Sequence, residues 1–525
     1  MDDTASPTVA TPLPRAISAQ TRLLLPFLFD RRAADRAAVA LESAPAGVAR
    51  GLWTREPPRK LYRYRLEMTG QLDRFLFSHG EKGTVEGAYL HASGERIKRW
   101  LGVLDVDLGS RLARVGLAPT PGVELFLTAH GAGVLSLTFD LGADAELASI
   151  LELNRRLSIL TRPGERAPWL SMPRPEGSGP PGGAEEPPAS SVPLGDRLGR
   201  PGARFSLTEL LAQLLEPLRG MGVAPIQESL SAYSVVALPT DVDVGAPEAR
   251  TWTGPFLSSL AQVHANFRPA QAPGELGVAN LFVGASHWAA ASLQGAAHLL
   301  GAREVNVLGE DTISEARDRY FVPYLTALLQ RCAIKKAAEE ATEMVLHEDV
   351  KRVTVSRLRT DVLAFALAGA IPEVSVRYSL HRYYRMCQEA VDVGRNLEQV
   401  RSALGELEAQ LSALQQMEIA EVQRDIAVQA AEQEESSRRI HDALVWIEVF
   451  IVVAYAAELI KFFVIELPHI HDPMTRWIAG TLAVGTGVVA LGVLRPWDKR
   501  HEEHGKGAKP AKEPAHPKAE GAAPH

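Results

Sequence analysis

Cysteine is nearly absent from this 525-residue chain: only Cys332 and Cys387 occur. Two thiols cannot build a disulfide framework or a cysteine zinc cluster, and there is no CxxC pair, so both read as reduced structural thiols. A basic excess is missing too. The formal net charge is −7, which argues against a general nucleic-acid binder needing Lys and Arg against phosphates. Soluble catalytic signatures are also lacking: the chain has no GxxxxGK[ST] loop, no HExxH and no GxSxG, and the GxG at Gly131 and Gly133 lacks a third glycine. The residues therefore point to no enzyme and no cofactor. Proline is absent from Glu373 to Leu467, which would allow a rod of about 140 Å if that stretch stayed helical.

The proline-free stretch has its own internal order. Leu397, Val400, Leu404, Leu407, Leu411 and Leu414 alternate three and four apart, and the pattern then skips through Glu418 to Val422 and Ile426. That is coiled-coil spacing with a stutter. A narrow stripe on so long a helix needs a partner, so 372–442 is expected to be a stalk that joins copies into a homo-oligomer. The alternative is an amphipathic helix packed on its own domain. The stretch ends in ALVWIEVFIVVAYAAELIKFFVIEL (443–467), apolar for long enough to cross a bilayer.

A second apolar segment occupies 477–495, after a short loop at 468–476. Two spans so close together form an antiparallel hairpin, with membrane lipid as the partner. Arg438 and Arg439 precede the first span and Arg495, Lys499 and Arg500 follow the second, whereas the loop carries only Arg476. The positive-inside rule then puts both termini in the cytoplasm of a multi-pass protein of the cell (inner) membrane. Ala479, Ala483 and Gly487 recur four apart in the second span, where small residues let a neighbouring helix approach.

Before the stalk, the expected order is a disordered leader (1–20) without a secretory signal, an α/β unit (21–161), a Pro/Gly-rich linker (162–204), a second α/β unit (205–310) and amphipathic helices (311–371). Within them, KLYRYRLEM and LGVLDVDLG alternate as half-buried strands, and VELFLT and VLSLTF flank HGAG as a hairpin. DVDLG (105–109) and DVDVG (241–245) hint at a duplication. The last residues, 496–525, read as a disordered cytosolic tail.

Ionisable residues in the first span are the strongest functional signal. Glu448, Glu458 and Lys461 lie in a hydrophobic segment, where each charge at mid-depth costs about 2.5–3.5 kcal/mol. At 100° per residue Glu448 and Glu458 fall within about 80° of each other, with Tyr455 between them. Such a face can line a pore in an oligomer, and carboxylate rings favour cations. The alternative is that Glu458 pairs with Lys461 and Glu448 reaches the interface. In the loop, His469, His471 and Asp472 have donors suited to Zn²⁺ or another divalent cation, or form an ordinary polar turn.

An α+β cytosolic domain, a long stalk helix or coiled coil, and a C-terminal two-helix transmembrane hairpin together resemble the organisation of the CorA-type divalent-cation transporters, over about 206–500. Members of that family are homopentamers whose first span lines the pore, and the resemblance implies the same for the span beginning near Ala443. The family's Gly-Met-Asn signature is replaced here by VIELPHIHD (464–472), so Mg²⁺ transport is not implied. Two functions follow: an oligomeric cation channel, transporter or cation-responsive protein, or a non-transporting, membrane-anchored coiled-coil protein whose cytosolic domain binds a partner or ligand.

Overall fold

Alternation in Ser18–Leu28, here β1, decides the architecture of the first part of the chain. Leu23, Leu25 and Phe27 enter one buried apolar cluster, and Leu24 and Leu28 enter another. Successive strand residues point to opposite faces, so a strand apolar on both must be covered on both. The strand lies inside a 14-stranded sheet. Pro26 is tolerated because its carbonyl accepts from Ile226 N on the side where β1 leaves one neighbour at Leu24 and meets the short strand Ala224–Pro225 at Phe27. Its missing N–H falls in that gap.

The computed structural model describes residues 13–494 except 32–33, 45–48, 56–66, 78–86, 93, 109–111, 119–121, 163–164, 167, 174–193, 199, 227–228, 240–241, 245, 265–278, 285, 302–309, 347–351, 370 and 463–471. The other strands longer than two residues are β2 Gly87–Ala92, β3 Val103–Asp107, β4 Leu112–Leu117, β5 Val123–Thr128, β6 Ala132–Asp140, β7 Trp169–Ser171, β8 Arg204–Ser206, β9 Ser231–Ala237, β10 Ala279–Gly284, β11 His287–Ala291 and β12 Gly295–Leu300. They follow one another as β8-β7-β3-β4-β6-β1-β9-β12-β11-β10, with β5 joining β6 to β2. The expected hairpin is present as β5 and β6, in register from Val123↔Leu137 to Leu127↔Gly133, and Gly131 turns it at φ 74°.

Helices cover both faces. On one side lie α1 Leu147–Ser158, α2 Leu207–Leu214 and α3 Pro247–Ala261; on the other lie α4 Phe321–Leu346, α5 Arg352–Ala364, α6 Tyr378–Ala390 and the first turns of α7 Val393–Lys461. Ser206 caps α2 by accepting from Glu209 N. A π-helical turn, Glu315–Arg319, precedes α4. The last described helix is α8, Pro473–Leu494.

Several expected boundaries are corrected. The two α/β segments share one sheet, because β9 from the second pairs along β1 from the first. The expected linker 162–204 supplies β7 and the start of β8, which pair with each other and, through β7, with β3; Leu170 fills a core position that its Pro-rich surroundings concealed. The leader ends earlier than residue 20, since β1 starts at Ser18. Asp105 lies in β3, whereas no strand includes Asp243, so the two acidic repeats are not equivalent. The proline-free stretch is not one rod: α6 ends at Ala390, Asp392 adopts φ 56°, and α7 begins afresh. Asp tolerates that left-handed conformation better than most residues. KLYRYRLEM lies mostly outside the described residues.

The chain divides into two units at Leu411 and Ser412. In the first, the helices and sheet described above share their cores. In the second, α7 is long and apolar enough to cross a membrane, and its most apolar part is not buried.

Candidate functional site

The polar residues of the first span all lie on α7, and the helix settles their spacing. Glu448, Glu458 and Lys461 are exposed, and Tyr455 is 67% exposed. Between them Phe450, Ile451 and Val453 are exposed too. A single copy therefore presents carboxylates and bare apolar side chains along one helix. No ion pair joins Glu458 to Lys461 among the described residues. Ten residues of helix separate the two glutamates by about 15 Å.

The loop constellation is only partly placed. His469 and His471 lie outside the described residues, so the trio is not assembled here. Asp472 caps α8, its carboxylate accepting from Met474 N at 3.3 Å and Thr475 Oγ1 at 2.5 Å. The Thr475 hydroxyl and the Met474 amide hold its carboxyl below the usual range.

The seam is used differently along its length. Val400, Leu404 and Leu407 are buried in the first unit's own core, with Leu397 and Leu411 partly buried against it. Arg359 on α5 adds an ion pair to Glu408 at 2.6 Å. Over 397–411 the expected oligomerisation seam is therefore corrected: the sheet domain covers it within one chain. Leu414, by contrast, is 57% exposed.

Sequence reasoning missed a buried polar layer under α4. Arg22 on β1 donates to Glu124 Oε2 and to Asp318 Oδ1, each at 2.5 Å, and its guanidinium lies 4.3 Å from the centre of the Phe321 ring. Tyr89 donates to the other Glu124 oxygen at 3.0 Å. One cation faces two carboxylates in a dry setting, so burial, opposed by Arg22 and reinforced by Asp318, pushes Glu124 up to about 7. Asp318 comes from the π-helical turn, a device that re-aims side chains.

Beside it, His287 Nε2 and His298 Nδ1 lie 2.8 Å apart. Burial lowers His287 to about 3 and carries His298 well below its ordinary value. Both rings are thus neutral, one N–H donating to the other's lone pair. Tyr320 and Tyr383 pack on them, with ring centres 4.9–5.4 Å from the imidazoles. Two imidazoles lack a third donor, and among the described residues no group of three or more His, Cys, Asp or Glu could hold a metal ion. The layer can respond to protons but offers no substrate access. HWAAA (287–291) carries no alternation that marks it as a strand, and alanine's weak strand preference hides it further.

No protein-family model, curated protein or solved structure matches this chain.

Proposed function

We propose that this chain is a CorA-like homo-oligomeric protein of the cell membrane that passes cations along an axis lined by Glu448, Tyr455, Glu458 and Lys461. The observation that supports it is the exposure of Glu448, Glu458 and Lys461 on a helix otherwise apolar enough to cross a bilayer. Lipid opposes each charge by about 2.5–3.5 kcal/mol at mid-depth, whereas a water-filled axis between copies removes that cost. Glu448 and Glu458 from every copy form two acidic rings about 15 Å apart. Arg438 and Arg439 before the first span keep the N-terminal domain cytoplasmic, and the second span follows as the other arm of a hairpin.

A second reading is favoured by the burial of Val400, Leu404 and Leu407 within one chain. It makes the helix an anchor for a cytosolic binding domain, with no ion path. Cation flux into liposomes carrying the purified protein separates the two. Glu458→Gln is expected to cut flux with the oligomer intact, and Lys461→Ala to raise it. A reconstituted oligomer that passes neither monovalent nor divalent cations would leave the anchored-domain reading.

A further inference from the structure

A cleft of about 400 Å³ lies between α4 and the base of α7, wholly within the first unit. Its volume falls in the range of roughly 300–1,000 Å³ typical of small-molecule sites. From α4 come Arg331 and Lys335, one turn apart, and from α7 come Asn396 and Gln399. The wall between them is made of aliphatic side chains, among them Ile334 and Ala403.

The polar groups in this cleft are unusually unengaged. Arg331 and Asn396 are half-buried and Gln399 is exposed, and no side-chain hydrogen bond or ion pair holds any of the three among the described residues. Lys335 donates to the Ile226 carbonyl at 2.9 Å and stands 3.8 Å from Glu339, which leaves donors of its ammonium group to spare. A half-buried guanidinium with no carboxylate paired to it among the described residues, next to a second cation, is a charge arrangement that an anion completes. Two side-chain amides across the cleft offer donors and acceptors together, which an aliphatic tail cannot use but a heteroaromatic edge can.

We propose that this cleft binds a nucleoside monophosphate, with the phosphate on Arg331 and Lys335, the nucleoside along the aliphatic wall, and the base edge read by Asn396 and Gln399. Because both α4 and α7 supply contacts, the bound ligand clamps the base of α7 onto the sheet domain. The inference does not depend on ion passage, and its readouts are independent of flux.

The test uses the full-length chain in detergent with AMP as the probe, and hexyl phosphate and inorganic phosphate as comparisons, by calorimetry. AMP is expected to bind saturably and more tightly than either comparison. Arg331→Gln should weaken AMP by about tenfold or more, as expected for loss of a charge-assisted contact. Ala403→Leu, which fills the cleft without touching charge, should weaken it comparably, whereas Arg424→Gln elsewhere on α7 should leave it unchanged. Hydrogen exchange of 393–411 should slow when AMP is present. The proposal is overturned if AMP does not saturate, if inorganic phosphate binds as tightly, or if binding survives both Arg331→Gln and Ala403→Leu. It is equally overturned if Ala403→Leu changes the oligomer's mass, which would make the cleft a seat for a second copy.

Discussion

Two halves of the same helix carry the same kind of apolar stripe and meet opposite surroundings. Val400, Leu404 and Leu407 in the first unit are 4–6% exposed, whereas Leu414, Val422 and Ile426 in the second are 53–60% exposed. The spacing changes only by a stutter at Glu418, which leaves both stripes apolar; what lies alongside separates them. The first half has a sheet domain with a second apolar face to cover it. Among the described residues of its own unit the second half has no such cover, and its apolar side chains stay exposed. A heptad stripe therefore reports that burial is needed and leaves open which surface supplies it.

The sharpest way to break this comparison is to remove charge from each half's surroundings. Arg22 is held between Glu124 and Asp318 in the first unit, and its side chain is 2% exposed. Arg22→Ala strands two carboxylates in the core and should cost about 3–5 kcal/mol. Arg438, paired with Glu434 at 3.0 Å on the exposed part of α7, should cost only a few tenths of a kcal/mol when replaced by Ala. Thermal unfolding of the full chain in detergent reads both. Equal effects would mean that the buried network is no more than a surface pair.

Next in size is the stripe itself. Leu404→Ala and Leu407→Ala should each destabilise the first unit by about 2–5 kcal/mol, the range for core leucines. Leu414→Ala and Val422→Ala should stay within about 0.5 kcal/mol, as for surface positions, and should instead lower the oligomer's mass if copies zip along that half. Unfolding midpoints and sedimentation of the same four variants give the answer. Loss of mass in Leu404→Ala without loss of stability would return the whole seam to self-association.

What the sequence revealed follows the same division. The hairpin at 123–140 was readable because strand alternation and Gly131 agreed, and the helix apolar enough to cross a membrane because its apolar run is long. The central strand was hidden by Pro26, whose tolerance depends on a gap between two neighbouring strands far along the chain. Arg22, Glu124 and Asp318 are separated by most of the first unit in sequence, and no local pattern announces that they meet. The candidate residues of α7 were visible one by one, since charge in an apolar run stands out. Burial over 397–411 was unreadable for the reason the comparison gives.

The last expected effect is pH dependence, spread over several pH units, and it falls on the first unit because Glu124, His287 and His298 all lie there. His287 has a folded value of about 3 against an ordinary 6.5, so its contribution is intact above 6.5 and is lost as pH falls toward 3. His298, lowered by burial and by the neighbouring His287, acts in the same direction. Glu124 acts oppositely: with a folded value of about 7 against 4.5, its contribution is intact below 4.5 and is lost as pH rises toward 7. Each proton is worth about 1.4 kcal/mol per pH unit. Between 4.5 and 6.5 two histidines oppose one glutamate, so stability should fall on acidification with a net slope near one proton. Glu124→Gln removes the opposing group and should steepen that fall toward two protons, while His298→Gln should flatten it. Unfolding midpoints measured at half-unit steps from pH 4.5 to 7 decide the matter. A Glu124→Gln curve parallel to the parent's would show that Arg22 keeps Glu124 ionised throughout, and that the buried layer holds its charges without exchanging protons.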